Sequence, residues 1–145
     1  MKPDFSLYDL ALLKDDKLIT SSRGRGLKPL LILLGDQIGQ QTDCLLFDKI
    51  VGLAGARLIA MSGLVTRVQA KCASSRAMAH LQAQGIDIQS EIVVDQINNR
   101  EGTDSCPMEK IALANKPNNQ FVLSILEALG LNPADYRLVF KEIAR

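Results

Sequence analysis

The stretch from Cys44 to Met61 constrains the fold more than any other, because it is apolar nearly all round. Leu46, Ile50, Leu53, Ala54, Leu58 and Met61 recur at helical spacings, with Gly52, Gly55 and Ala56 between them. A segment with no polar face must be covered on every side, and its small residues let neighbours approach closely. The spacing predicts one central helix over residues 44–61. In that reading Asp48 and Lys49 stand near its amino end, either at the rim or facing a cleft.

The flanking segments are well punctuated. Leu7 to Leu13 and Leu18 to Ser21 enclose Lys14-Asp15-Asp16-Lys17 and read as a hairpin. Pro29 suits a first helical turn, so Lys28 to Leu34 reads as a short helix ended by Gly35. Val65 to Ala73 alternates as a half-buried strand with Val68, Ala70 and Cys72 on one side. Ser74 and Ser75 cap a helix over Arg76 to Gln84, which Gly85 stops. Ile86 to Ile97 holds the β-branched run Ile92-Val93-Val94 and reads as a second strand. Helices follow over Pro107 to Ala114 and Asn118 to Leu129. This order predicts a layered α/β domain with a mixed sheet.

Length and composition narrow the classes. The 145 residues suit one domain spanning 1–145, which buries about 70% of its unfolded surface without a metal or disulfide. A formal charge of +1 gives no electrostatic footprint for nucleic acid, and six aromatics without Trp make a poor stacking platform. The longest apolar run, Leu30 to Leu34, is far short of the ~20 residues of a membrane span. Asp4 stands where a signal peptide would be apolar. Three unpaired cysteines, Cys44, Cys72 and Cys106, fit a reducing cytoplasm. Nothing here fixes the oligomeric state, and a homo-oligomer stays open.

Candidate chemistry lies in the loops. Arg23-Gly24-Arg25-Gly26 precedes a helix, where glycines expose backbone N–H groups and Arg25 could clamp a phosphate; a solvated turn is the alternative. Asn98 to Glu109 combines Asn99, Arg100 and Cys106 with Pro107 at a helix start. If Cys106 is the N-cap, Glu109 falls at the third helical position, from which a carboxylate reaches back to cap N–H groups. A thiol beside a helix start and Arg100 is biased towards thiolate and could be a catalytic nucleophile, or simply a buried Cys at a capped helix. His80 and the cysteines lack metal-ligand spacing, so no metal and no cofactor are expected.

Ser22-Arg23-Gly24-Arg25-Gly26-Leu27-Lys28-Pro29-Leu30-Leu31, Asp48-Lys49-Ile50-Val51-Gly52, Asn99-Arg100-Glu101-Gly102-Thr103 and Cys106-Pro107-Met108-Glu109-Lys110 together resemble the bacterial family called domain of unknown function 1893. The resemblance covers about Leu7 to Ala114, leaving a carboxy-terminal helical extension over 115–145. It implies a cytidine-deaminase-like fold, a three-layer α/β/α sandwich around a mixed sheet. Zinc deaminases carry His/Cys-x-Glu at one helix start and Pro-Cys-x-x-Cys at another. The matching starts here are Phe47-Asp48-Lys49 and Cys106-Pro107-Met108-Glu109, and neither reproduces the zinc motif. Where the family usually has Val-Gly-Lys-Ala, this chain has Val51-Gly52-Leu53-Ala54.

Two readings follow. A zinc-free domain could bind a small polar or nucleotide-like ligand between two helix N-termini through Arg25, Asp48, Lys49, Asn99, Arg100, Cys106 and Glu109. Alternatively, Cys106 could act as nucleophile on an anionic small molecule, although the single His80 falls on another helix. The helix starts holding Asp48 and Cys106 are expected to lie together.

Overall fold

The computed structural model describes residues 2–99, 101–102 and 104–140. Asp15 and Asp16 adopt φ of 51° and 64°, the left-handed pair that a tight two-residue hairpin needs, and join strands β1 (Leu10–Lys14) and β2 (Lys17–Ser22). Helix α1 (Lys28–Gln37) follows, then β3 (Cys44–Val51), α2 (Leu53–Ser62), β4 (Val65–Ser74), α3 (Ser75–Ala83) and β5 (Asp87–Val94). Three further helices, α4 (Pro107–Ala114), α5 (Asn118–Ala128) and α6 (Pro133–Phe140), complete the described chain. The sheet order is β2-β1-β3-β4-β5, with β1 antiparallel to both neighbours and β3, β4 and β5 parallel. The chain is an α/β protein with an open mixed sheet, consistent with the sandwich expected.

The single helix expected over residues 44–61 is two elements. Residues 44–51 form the middle strand, paired with β1 on one side and β4 on the other, and only 53–62 are helical. A strand buried on both faces reads as a continuous apolar run, and periodicity cannot separate it from a buried helix. Leu45 and Leu46, or Phe47 and Asp48, therefore point to opposite sides of a sheet. Gly52 is the break, an extended residue at φ −98° and ψ −178° that caps α2. Helix α1 also runs past Gly35 to Gln37.

Leu10, Leu12, Leu46, Val68, Ala70 and Ile88 of the sheet share one core with the buried residues of α1 to α5. Across the sheet, Ala11, Leu13 and Phe47 form a smaller cluster covered by Phe5 and Tyr8, with Tyr8 stacked on Phe47 at 6.3 Å. Local signals set several elements. The Ser74 hydroxyl accepts the Ala77 N–H at 3.1 Å and caps α3, and Pro107 opens α4.

Helix α2 is the centre of the main core, and it buries a charge. Arg57 is 6% exposed. Its guanidinium donates to the carbonyls of Ala112 (2.8 Å), Asn115 (2.6 Å) and Lys116 (2.9 Å) and to Asn118 Oδ1 (3.1 Å), with its Cζ 3.9 Å from the Phe121 ring centre. Burial pulls its pKa below the ordinary value, and these acceptors, at the end of α4 and the start of α5, replace the lost water. Removing Arg57 leaves those carbonyls unpaired under a buried ring. Arg57→Ala is expected to cost about 3 kcal/mol or more in urea unfolding; a loss below about 1 kcal/mol would show that water replaces the guanidinium without penalty.

Candidate functional site

Because β3 is a strand, Asp48 and Lys49 face opposite sides of the sheet, not a shared helix rim. Asp48 is opposite Leu10 on β1 and Ala70 on β4, and Leu10 is in turn opposite Ser22 on β2. Ser22, Leu10 and Asp48 thus form one register row, with the two polar residues roughly 10 Å apart, two strand spacings. Asp48 is 7% exposed. Burial pushes its pKa up to about 8; the Ile50 backbone N–H opposes this shift and the Asp9 charge adds to it. At neutral pH Asp48 is a carboxylic acid that can donate as well as accept. The Ser22 hydroxyl oxygen is buried with no hydrogen-bond partner among the described residues.

On the other side, Lys49 Nζ lies 3.9 Å from Asp9 Oδ1, while Asp9 Oδ2 accepts the Gly24 N–H at 2.8 Å. Asp9 therefore ties β3 to the Arg23-Gly24-Arg25-Gly26 loop. Arg23 is held in place by donating to the Ser6 carbonyl at 3.1 Å. Arg25 lines an open cleft of about 500 Å³ between β2 and α1, together with Thr20, Ser22, Lys28, Ile32 and Asp36.

Two helix starts meet, those of α2 and α4, the first beginning at Leu53 and not near Asp48 as expected from sequence. Glu109, in the first turn of α4, accepts the backbone N–H groups of Leu53 (Oε2, 2.7 Å) and Ala54 (Oε1, 3.1 Å) at the start of α2. Cys106 is the N-cap of α4, as expected, and Glu109 is at its third position. The carboxylate caps the neighbouring helix instead of reaching back to its own, because α2 offers two free N–H groups at its positive end. Gly52 is required by that approach: a Cβ there would collide with Glu109 Oε1. The thiol of Cys106 makes no capping hydrogen bond and is half-buried. The loop before it is pinned by an Asn98–Ser105 bridge, by Cys106 N–H to the Ile97 carbonyl and by Asn99 N–H to the Asp104 carbonyl. Arg100 lies outside the described residues, as does Thr103.

A family model for a domain of unknown function, DUF1893, matches residues 5–129. The chain belongs to the DUF1893 family. The crystal structure of a DUF1893 family protein, TM1506, from Thermotoga maritima is similar, with a TM-score of 0.73 and 25% identity over 86% of this chain and 84% of that one. No curated protein matches.

This DUF1893 chain thus divides the candidate residues among three places: Asp48 with Ser22 on the helix-covered face, Lys49 and Arg25 linked through the Asp9 loop, and Glu109 with Cys106 at the α2–α4 junction. Leu53, where the resemblance would place lysine, contributes only its N–H to Glu109. Two residues escaped the sequence reading. Asp9 had no signal beyond an acid at a strand start, whereas Arg57 was a visible charge in an apolar run. Among the described residues, no three His, Cys, Asp or Glu side chains are grouped to hold a metal ion, and no helix is long and apolar enough to cross a membrane.

The raised pKa of Asp48 has a definite sign in stability. The folded state holds this proton up to about pH 8, and an unfolded aspartate holds it only to about pH 4, so its contribution falls as pH rises between those values. Asp48→Asn should flatten the slope and raise stability at pH 8 by on the order of a few kcal/mol. Melting temperatures measured from pH 4 to 8 check this, and parallel curves for the two proteins would contradict it.

The Gly52–Glu109 contact predicts non-additivity. Gly52→Ala and Glu109→Ala should each cost about 1 to 2 kcal/mol by uncapping α2. In the Glu109→Ala background Gly52→Ala should cost close to nothing, since nothing remains to be displaced. Additive losses in urea unfolding would rule out the contact.

Proposed function

We propose that the protein is a zinc-free domain with a cytidine-deaminase-like fold, acting in the bacterial cytoplasm, that binds a small polar or nucleotide-like molecule at the end of the sheet where α1 and α2 begin. The observation that carries this reading is the row of Ser22 and Asp48. Asp48 is a buried acid bonded by the Ile50 backbone N–H, and the half-buried Ser22 has a hydroxyl without a partner among the described residues, which costs about 1 to 3 kcal/mol unless something bonds to it. A ligand with mixed donors and acceptors would satisfy the Ser22 hydroxyl and add a bond to the Asp48 acid. Arg25, on the same cleft as Ser22, would supply charge beside it, while Lys49 acts from the opposite face of the sheet by holding Asp9, which bonds the Gly24 N–H of the loop. Glu109 gives its carboxylate to the N–H groups of α2, so its part is to fix the helix starts that frame the site.

The alternative is Cys106 as a nucleophile, a role usually served by a histidine base. The single histidine, His80, lies on α3, where burial and the Arg57 charge lower its pKa.

Thermal shift against nucleosides, nucleotides and small polar metabolites tests the binding reading, because a ligand at a hundred times its Kd stabilises by about 2.7 kcal/mol. Asp48→Leu should melt higher than the natural protein without ligand and lose the ligand-induced shift. A shift that survives in Asp48→Leu would remove this residue from the site, and the absence of any shift across the panel would end the proposal.

A further inference from the structure

The cleft between β2 and α1 is polarised along its length. Arg23, Arg25 and Lys28 stand where α1 begins, Pro29, Ile32 and Leu33 line the middle, and Asp36 closes the far end. Lys28, Ile32 and Asp36 recur every four residues, so they share one side of α1 and cover about 12 Å of it. The facing wall is Thr20, Ser21 and Ser22 of β2, the edge strand of the sheet. Three cationic residues thus line one end, with Arg23 anchored to the Ser6 carbonyl, and the carboxylate of Asp36 lies at the other. The first N–H groups of α1 add positive potential at the cationic end. Ile32, 41% exposed, offers the middle an apolar surface, and Ser22, whose buried hydroxyl oxygen has no partner among the described residues, borders the same cleft. Its volume, about 500 Å³, is within the ~300–1,000 Å³ of small-molecule sites.

A monoanion needs one cation, whereas a phosphate dianion uses two or three donors in a fork. An apolar wall next to the cations favours a ring or short chain attached to the phosphate over free phosphate. A carboxylate about one ligand length away favours an N–H donor at the other end. We propose that this cleft binds a phosphorylated small molecule, its phosphate on Arg25 and Lys28 beside Arg23, its apolar body against Pro29 and Ile32, and an amino group directed to Asp36. The assignment rests on the small-molecule reading above and names its ligand class.

Titration calorimetry of the full chain with inorganic phosphate, phenyl phosphate and 4-aminophenyl phosphate tests it. Affinity should rise in that order. Arg25→Ala and Lys28→Ala, both at exposed positions, should each weaken phenyl phosphate by about tenfold, one charge-assisted hydrogen bond. Asp36→Asn should erase only the advantage of the amino compound. Melting curves establish that the variants fold. Equal affinity for all three compounds, or binding indifferent to the Arg25 and Lys28 variants, would overturn the assignment. If uncharged nucleosides stabilise the protein through Asp48 while the phosphates do not bind, the small-molecule reading stands and the phosphate class falls. If neither group binds, both fall.

Discussion

Helix α2 can be central only because two polar demands at its surface are met from the segment that runs from α4 into α5. Its first N–H groups lie inside the molecule and would cost about as much as lost hydrogen bonds if left bare. Glu109 of α4 meets them. Its guanidinium at Arg57 is buried and must be surrounded by acceptors, and the end of α4 with the start of α5 provides them. Helix α4 and the turn after it therefore answer α2 at its start and at its middle, anion to N–H groups and carbonyls to cation. The placement of α1 and α3 beside α2, and of the sheet beneath it, follows from that fixed axis.

The candidate site inherits its geometry from this arrangement. With α2 fixed by α4, the break at Gly52 is fixed too, and so is the end of β3 that carries Asp48. Antiparallel pairing then carries the row through Leu10 to Ser22 at the sheet edge, where the cleft against α1 opens. Asp9 works on the opposite side, as a carboxylate shared between a loop N–H and Lys49. Charge, hydroxyl and neutral acid are thus arranged along the sheet.

How much could be read in advance depended on whether the deciding interaction was local. Ser74 announces α3 because its hydroxyl bonds three residues ahead, and Pro107 announces α4 because it cannot sit inside a helix. The hairpin is written in Asp15 and Asp16. The strand at 44–51 is not written in its own residues: the pairing with β1 and β4 that buries both faces erases the alternation by which strands are known. That misreading put Asp48 and Lys49 on one helix rim and moved the expected helix start several residues too early. Glu109 shows the same limit from the other side. Its position in the first turn of α4 was legible, but the choice between its own helix and α2 was decided by a segment 55 residues away.

The long reach of those contacts bears on synthesis at the ribosome. The chain emerges amino end first, so the sheet strands β1 to β5 and helices α1 to α3 are all released before Glu109 exists to bond to Leu53, or Ala112 and Asn115 to Arg57. During that interval α2 carries an uncovered guanidinium and open N–H groups on an otherwise apolar surface. The nascent chain can assemble its sheet early, yet the helix at its centre gains its polar partners only when the last third of the protein arrives.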